Sequence, residues 1–117
     1  MRGNHDFYIR DDDDIYLEVP LTITEAVLGC KKTIPTLYGN VKLNVAAGTD
    51  SGDKQRIKGK GVDNDYHHTK GDMYVIFKVI TPKKLSRAEK QLFEKLDKTL
   101  EDDNLIKKFN KFTEKND

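Results

Sequence analysis

Between Ile15 and Ile23 the chain reads IYLEVPLTI, with Ile15, Leu17, Val19, Leu21 and Ile23 on the odd positions and polar or amphipathic residues mostly between them. Successive side chains of an extended strand point to opposite faces, so this alternation predicts a strand with one buried and one wet face. Pro20 falls on the outward series and has no N–H to give to a ladder, which argues for a sheet edge or a bulge at that point. An edge strand can accept another extended chain.

The rest of the first two thirds continues in the same style. Thr24 is positioned to cap a short helical turn through Glu25, Ala26, Val27 and Leu28, and Gly29 supplies its left-handed stop. KKTIPTL and NVKLNV, joined at Tyr38-Gly39, read as a hairpin, with Val41, Leu43 and Val45 alternating against Lys42 and Asn44. AAGTDSGD is a turn, and KQRIKGKGV an extended stretch broken at Gly59 and Gly61 by a bulge or bend. In MYVIFKVI both faces are apolar, which predicts a central strand.

After Thr81-Pro82 the period changes from two to 3.6. Ser86 and Glu89 are spaced as a capping box, and Leu92, Phe93, Leu96 and Leu100 fall on one helical face through about residue 101. A second short helix is expected over 104–113, capped by Asn104, with Leu105, Ile106, Phe109 and Phe112 on one side. A helix of about ten residues is marginal in water, so this one must dock on something, its own domain or a second copy.

Within 117 residues one modest core is feasible. The 21 Lys+Arg nearly cancel the 20 Asp+Glu, leaving +1, so no global field recruits nucleic acid or membrane. The single cysteine, Cys30, excludes an internal disulfide or a cysteine-based zinc site and fits a reducing compartment. No apolar run approaches the ~18 residues of a membrane span, and MRGNHDFYIR lacks the apolar stretch of a signal peptide. The opening residues look like the middle of a protein, so the chain is expected to be a soluble piece of something longer.

The candidate sites for chemistry are thin. Asp11, Asp12, Asp13 and Asp14 lack the glycine and closing glutamate of a calcium loop and read as a solvated turn. Gly59-Lys60-Gly61 has neither the spacing nor the following helix of a phosphate loop. His67 and His68 are adjacent, with only Asp63, Asp65 and Asp72 nearby as further ligands, a poor metal set. His5 has no nucleophile motif near it and is expected to pack against Phe7. Lys31 and Lys32 could lower the Cys30 thiol pKa, but a small residue after a glycine turn is the structural reading. No carboxylate pair has the apolar surroundings that separate two pKa values. No enzymatic activity is expected; the pattern suits a binding module.

Three blocks carry a family resemblance: HDFYIRDDDDIYLEVPLTITEAVLG, IPTLYGNVKLNVAAGTDSGDKQRIKGKGV and KGDMYVIFKVITPKKLSRAEKQLFEKL. In this order they resemble the second C-terminal domain of the DnaJ co-chaperones, the heat-shock-forty class, from about His5 to Leu96. His5 and Phe7 look like the family's opening segment, Leu17-Glu18-Val19-Pro20 like its first strand and Ala26-Val27-Leu28-Gly29 like its turn. Pro35-Thr36-Leu37, Gly59-Lys60-Gly61 and Gly71-Asp72 also match, and NLIKKFNKF is similar, more loosely, to the tail of bacterial-type members.

The resemblance implies a mainly β fold: a two-sheet antiparallel β-sandwich over 1–82, with a short connector helix, and C-terminal amphipathic helices over 83–117 that join two protomers. It implies support of client delivery to a DnaK-type chaperone by the whole parent protein, while binding of unfolded polypeptide by this chain is inferred from Pro20 and the alternating apolar face of its first strand. Ile15, Leu17, Val19 and Leu21 would be the client contacts, and Leu105, Ile106, Phe109 and Phe112 the homodimer contacts. A purely structural dimerising spacer without client affinity is the alternative. The chain has no His-Pro-Asp tripeptide, no CxxC repeats and no first C-terminal domain, so ATPase stimulation, zinc and the family's best-defined client groove would belong to the parent protein. The implied location is the cytoplasm, or the matrix or stroma of an organelle of bacterial ancestry.

Overall fold

The structure, a computed structural model, describes residues 7–66 and 69–115. It divides into two units, Met1–Pro82 and Lys83–Asp117. In the first, the elements follow in the order β1 (Tyr8–Asp11), β2 (Asp14–Thr22), α1 (Ile23–Leu28), β3 (Cys30–Thr36), β4 (Gly39–Val45), β5 (Lys54–Ile57), β6 (Asp63–Asn64), β7 (Thr69–Lys70) and β8 (Met73–Ile80). The second contains α2 (Arg87–Thr99) and α3 (Asn104–Lys115).

The fold is mainly β. One sheet has the strand order β1-β2-β8-β5, and two smaller sheets pair β3 with β4 and β6 with β7. β8, apolar on both faces, lies between β2 and β5, as its sequence predicts. The antiparallel expectation needs one correction, because β2 and β8 run parallel, with Ile15 opposite Met73, Leu17 opposite Val75 and Val19 opposite Phe77. Parallel neighbours require a long crossover, and everything from α1 to β7 lies in that connection. Alternation within a strand reports which face is buried and is silent on the direction of its partner.

This register turns the odd residues of β2 and β8 to one side. Ile15, Leu17, Val19, Leu21, Met73, Val75 and Phe77 form the core there, joined by Ile34 from β3, Val45 from β4 and Ala26 from α1. The large sheet and the β3–β4 hairpin thus share one apolar layer. On the outer face of the large sheet Tyr16 stacks on Tyr74 with ring centroids 5.2 Å apart.

Helix α1 is capped by Thr22 rather than Thr24. The Thr22 hydroxyl accepts from the Glu25 N–H at 3.1 Å, and a Glu25 carboxylate oxygen accepts from the Thr22 N–H at 3.0 Å. A reciprocal box needs its two members three residues apart, a spacing that Thr22 has from Glu25 and Thr24 does not. Gly29 ends the helix at φ 81°, and a Cβ there would lie 2.8 Å from the Val45 carbonyl oxygen, so the position also needs the missing side chain.

Glu25 also pairs with Lys32 Nζ at 3.1 Å. The Thr22 N–H first, and Lys32 next, hold its carboxyl below the ordinary glutamate value. A depressed folded pKa stabilises the fold above the unfolded pKa, and that contribution disappears as pH falls through the lower, folded value. Glu25→Ala is therefore expected to melt at a lower temperature than wild type near neutrality, with the gap narrowing as pH falls below the ordinary glutamate range. Thermal melts across that range check it; a gap that widens on acidification would contradict the capping role.

The acidic run is more than a solvated turn. Asp12, at φ 58°, turns the chain between β1 and β2, while Asp13 and Asp14 hold the segments that precede β8. The Asp13 carboxylate accepts from Asn64 Nδ2 at 3.3 Å and Thr69 Oγ1 at 3.1 Å, its carbonyl accepts from the Val62 N–H at 2.7 Å, and Asp14 accepts from the Asp72 N–H at 2.8 Å. The partners lie some fifty residues away in sequence, which is why local reading assigned these side chains to water.

A Cβ on Gly71 would overlap the Asp13 carbonyl. Neither segment can withdraw freely, because the Gly71 N–H donates to Val62 O at 3.0 Å and its carbonyl accepts from the Gly61 N–H at 2.9 Å. Gly71→Ala is expected to destabilise by about 1–3 kcal/mol through overpacking. Gly48→Ala faces open space and should lose only about 1 kcal/mol, through its positive φ. Urea denaturation of the two variants compares them; a smaller loss at Gly71 would contradict the close approach.

In the second unit Ser86 and Glu89 form the expected reciprocal box. For α3 the cap is Asp103, whose carboxylate accepts from the N–H groups of Leu105 at 2.7 Å and Ile106 at 3.4 Å. Asn104, the cap expected from sequence, is the first helical residue. A charged acceptor suits the positive end of the helix dipole, and Asp103 occupies the position from which it reaches both donors.

Candidate polypeptide-binding groove

β2 pairs with β1 up to Leu17 opposite Tyr8 and with β8 from Ile15 to Thr22. In β2 the odd N–H groups turn toward β8, as the bond from Ile15 N to Asp72 O shows, and the even ones toward β1, as the 3.2 Å bond from Glu18 N to Phe7 O shows. Pro20 continues the even series and so turns its missing N–H away from β8, with which it pairs opposite Lys78; β2 lies between β1 and β8, which corrects the expectation of an edge strand.

Beside β2 opens a groove of about 230 Å³, bounded by β1 and β2 on one bank and β3 on the other. Leu17, Val19 and Ile34 form its apolar floor, and Phe7, Pro20, Thr33 and Pro35 stand along its sides. Tyr8 closes one end, donating its hydroxyl to the Pro35 carbonyl at 2.7 Å. Burial pushes that phenol's pKa upward from a value already well above neutrality, so it is a neutral donor. Charge is confined to the rims: Lys32 is engaged by Glu25, and Glu18 lies 3.8 Å from Lys78. A second depression, bounded by Asn44, Thr49, Asp53, Lys54 and Gln55, is mostly polar.

The four candidate contacts Ile15, Leu17, Val19 and Leu21 are core residues, none more than 6 % exposed. Leu17 and Val19 reach the groove as part of its floor, whereas Ile15 and Leu21 do not line it. The inward series of a strand between two layers is spent on the core, which corrects the assignment for Ile15 and Leu21. Phe7, Tyr8, Ile34 and Pro35 were missed as groove residues. Only the two strand prolines signalled them in advance.

Leu105, Ile106, Phe109 and Phe112 lie on α3, which buries none of its residues, and are 49–75 % exposed. Cys30 begins β3 half-buried against the core, and Lys32 beside it turns to Glu25. The Gly59 N–H, a candidate phosphate donor, is given to the Asp72 carboxylate at 2.8 Å. His5, His67 and His68 lie outside the described residues. Among the described residues no three His, Cys, Asp or Glu side chains gather as metal ligands, and no helix is long and apolar enough to cross a membrane.

The described residues thus define a mainly β domain with an apolar groove between β2 and β3. Comparison with known proteins gives the family. The family model described as DnaJ C terminal domain matches residues 2–82, and the chain belongs to that family. It is 50% identical over 93 residues to "Chaperone protein DnaJ" of Geobacillus sp. (strain WCH70), covering 80% of this chain and 24% of the relative. It is 50% identical over 88 residues to the chaperone protein DnaJ of Halalkalibacterium halodurans and 48% identical over 88 residues to that of Bacillus licheniformis, in each case 75% of this chain and 24% of the relative. The chain thus spans about a quarter of the length of the curated relatives it matches.

Proposed function

We propose that residues 1–82 are the second C-terminal domain of a DnaJ-type co-chaperone, binding a segment of unfolded polypeptide in the groove between β2 and β3, and that residues 83–117 make the homodimer. The groove carries this reading: an apolar floor with little charge within it suits an extended apolar segment. The relatives named chaperone protein DnaJ support the polypeptide class of ligand. In the parent protein the domain would serve delivery to a DnaK-type chaperone, in a cytoplasm or an organelle of bacterial ancestry, with any zinc held upstream of this chain.

NMR titration with an extended apolar peptide tests the groove. Shifts are expected at Tyr8, Val19, Thr33 and Ile34. Thr33→Arg, which places a long charged side chain in the groove, is expected to weaken binding about tenfold or more with the fold intact. Saturating peptide without shifts at these residues would favour the spacer reading.

A further inference from the structure

Resting on the homodimer part of that reading, we infer that the apolar face of α2 is the other half of the dimer interface, and that α3 of each copy docks on α2 of its partner rather than on the partner's α3. The dimer contacts expected from sequence all lie on α3, yet α2 has an apolar face of its own. Leu92, Leu96 and Leu100 recur along one side of it and are 49–70 % exposed. Neither helix buries a residue within the chain. Helices of 13 and 12 residues, about 18–20 Å long, are marginal in water without a docking partner, so both faces need cover.

Closure favours the reciprocal arrangement. A two-fold dimer in which α3 meets α3 covers one face per copy and leaves two leucine stripes in water, open to further copies. Docking of each α3 on the partner's α2 covers all four faces in one closed pair, and the two helices match in length to within a residue. Charge favours it as well. α3 carries Lys107, Lys108, Lys111 and Lys115 against Glu114, a net +3, so a second α3 laid beside it sets like charges together. The stretch from Glu94 to Asp102 carries four carboxylates against Lys95 and Lys98, a net −2. Opposite charge along the two partners steers α3 to α2 and disfavours α3 on α3.

Trans-complementation on the full chain tests the arrangement. Leu96→Glu damages the α2 face alone, and Phe109→Glu together with Phe112→Glu damages the α3 face alone. In reciprocal docking both contacts of either homodimer contain a damaged face. A mixed dimer keeps one contact whole, where α3 of the Leu96→Glu chain meets α2 of the other. By sedimentation Leu96→Glu is expected to weaken association by about tenfold or more, and the mixed pair to associate about tenfold or more tightly than either variant with itself. A Leu96→Glu chain that dimerises like wild type would overturn the inference and leave the dimer standing on α3 alone. Weakened variants that gain nothing on mixing would overturn it too. A monomeric wild-type chain would overturn both the inference and the dimer reading.

Discussion

Ile15→Ala is expected to lower unfolding stability by about 2–5 kcal/mol. Ile15 is fully buried and stands opposite Met73 in the parallel pair. Truncation removes the transfer free energy of its outer carbons and leaves a cavity that neighbours locked in two sheets can fill only in part. Marginal stability makes this a large fraction of the total for a domain of this size. The same change separates the two roles that alternation allows. A client contact would lose peptide affinity and keep its denaturation midpoint; a core residue shifts the midpoint. Urea denaturation decides, and an unchanged midpoint would contradict the packing described.

Charging the apolar face of α3 is the second large effect. Phe109→Glu together with Phe112→Glu is expected to convert a dimer to a monomer in sedimentation experiments, weakening association by about a hundredfold or more. Each large apolar side chain contributes roughly 1.5–3 kcal/mol when buried, so two forfeit at least two powers of ten in the dissociation constant. The sheets of residues 1–82 lie outside the substituted helix, and their near-ultraviolet circular dichroism should be unchanged. A wild-type chain that sediments as a monomer, or a variant that stays dimeric, would contradict the assignment of Leu105, Ile106, Phe109 and Phe112.

Association and client capture separate in the same variant. If the groove binds polypeptide, the monomer retains peptide affinity, because Leu17, Val19, Ile34 and the two prolines all belong to the first unit. A spacer without client affinity would show none in either state.

Much of this protein was readable from local sequence. Period-two alternation located β2, β8 and the β3–β4 hairpin. The change of period after Pro82 placed α2 and α3, and the Ser86–Glu89 spacing its cap. These features follow from rules acting over a few residues: the pleat, the helical repeat, the reach of a capping side chain. Pro20 signalled a position without a ladder donor, and the structure meets that need by turning it away from β8 rather than by placing β2 at a sheet edge. Sequence could not assign the odd residues of β2 to core or to client, since both uses demand the same apolar alternation. Parallel pairing of β2 with β8, the anchoring of Asp13 and Asp14 to distant loops, and the meeting of Pro20, Tyr8 and Pro35 around one groove were decided by tertiary structure. Each joins residues far apart in the chain, and the direction and register of such pairings depend on packing and crossover geometry, which no local pattern encodes.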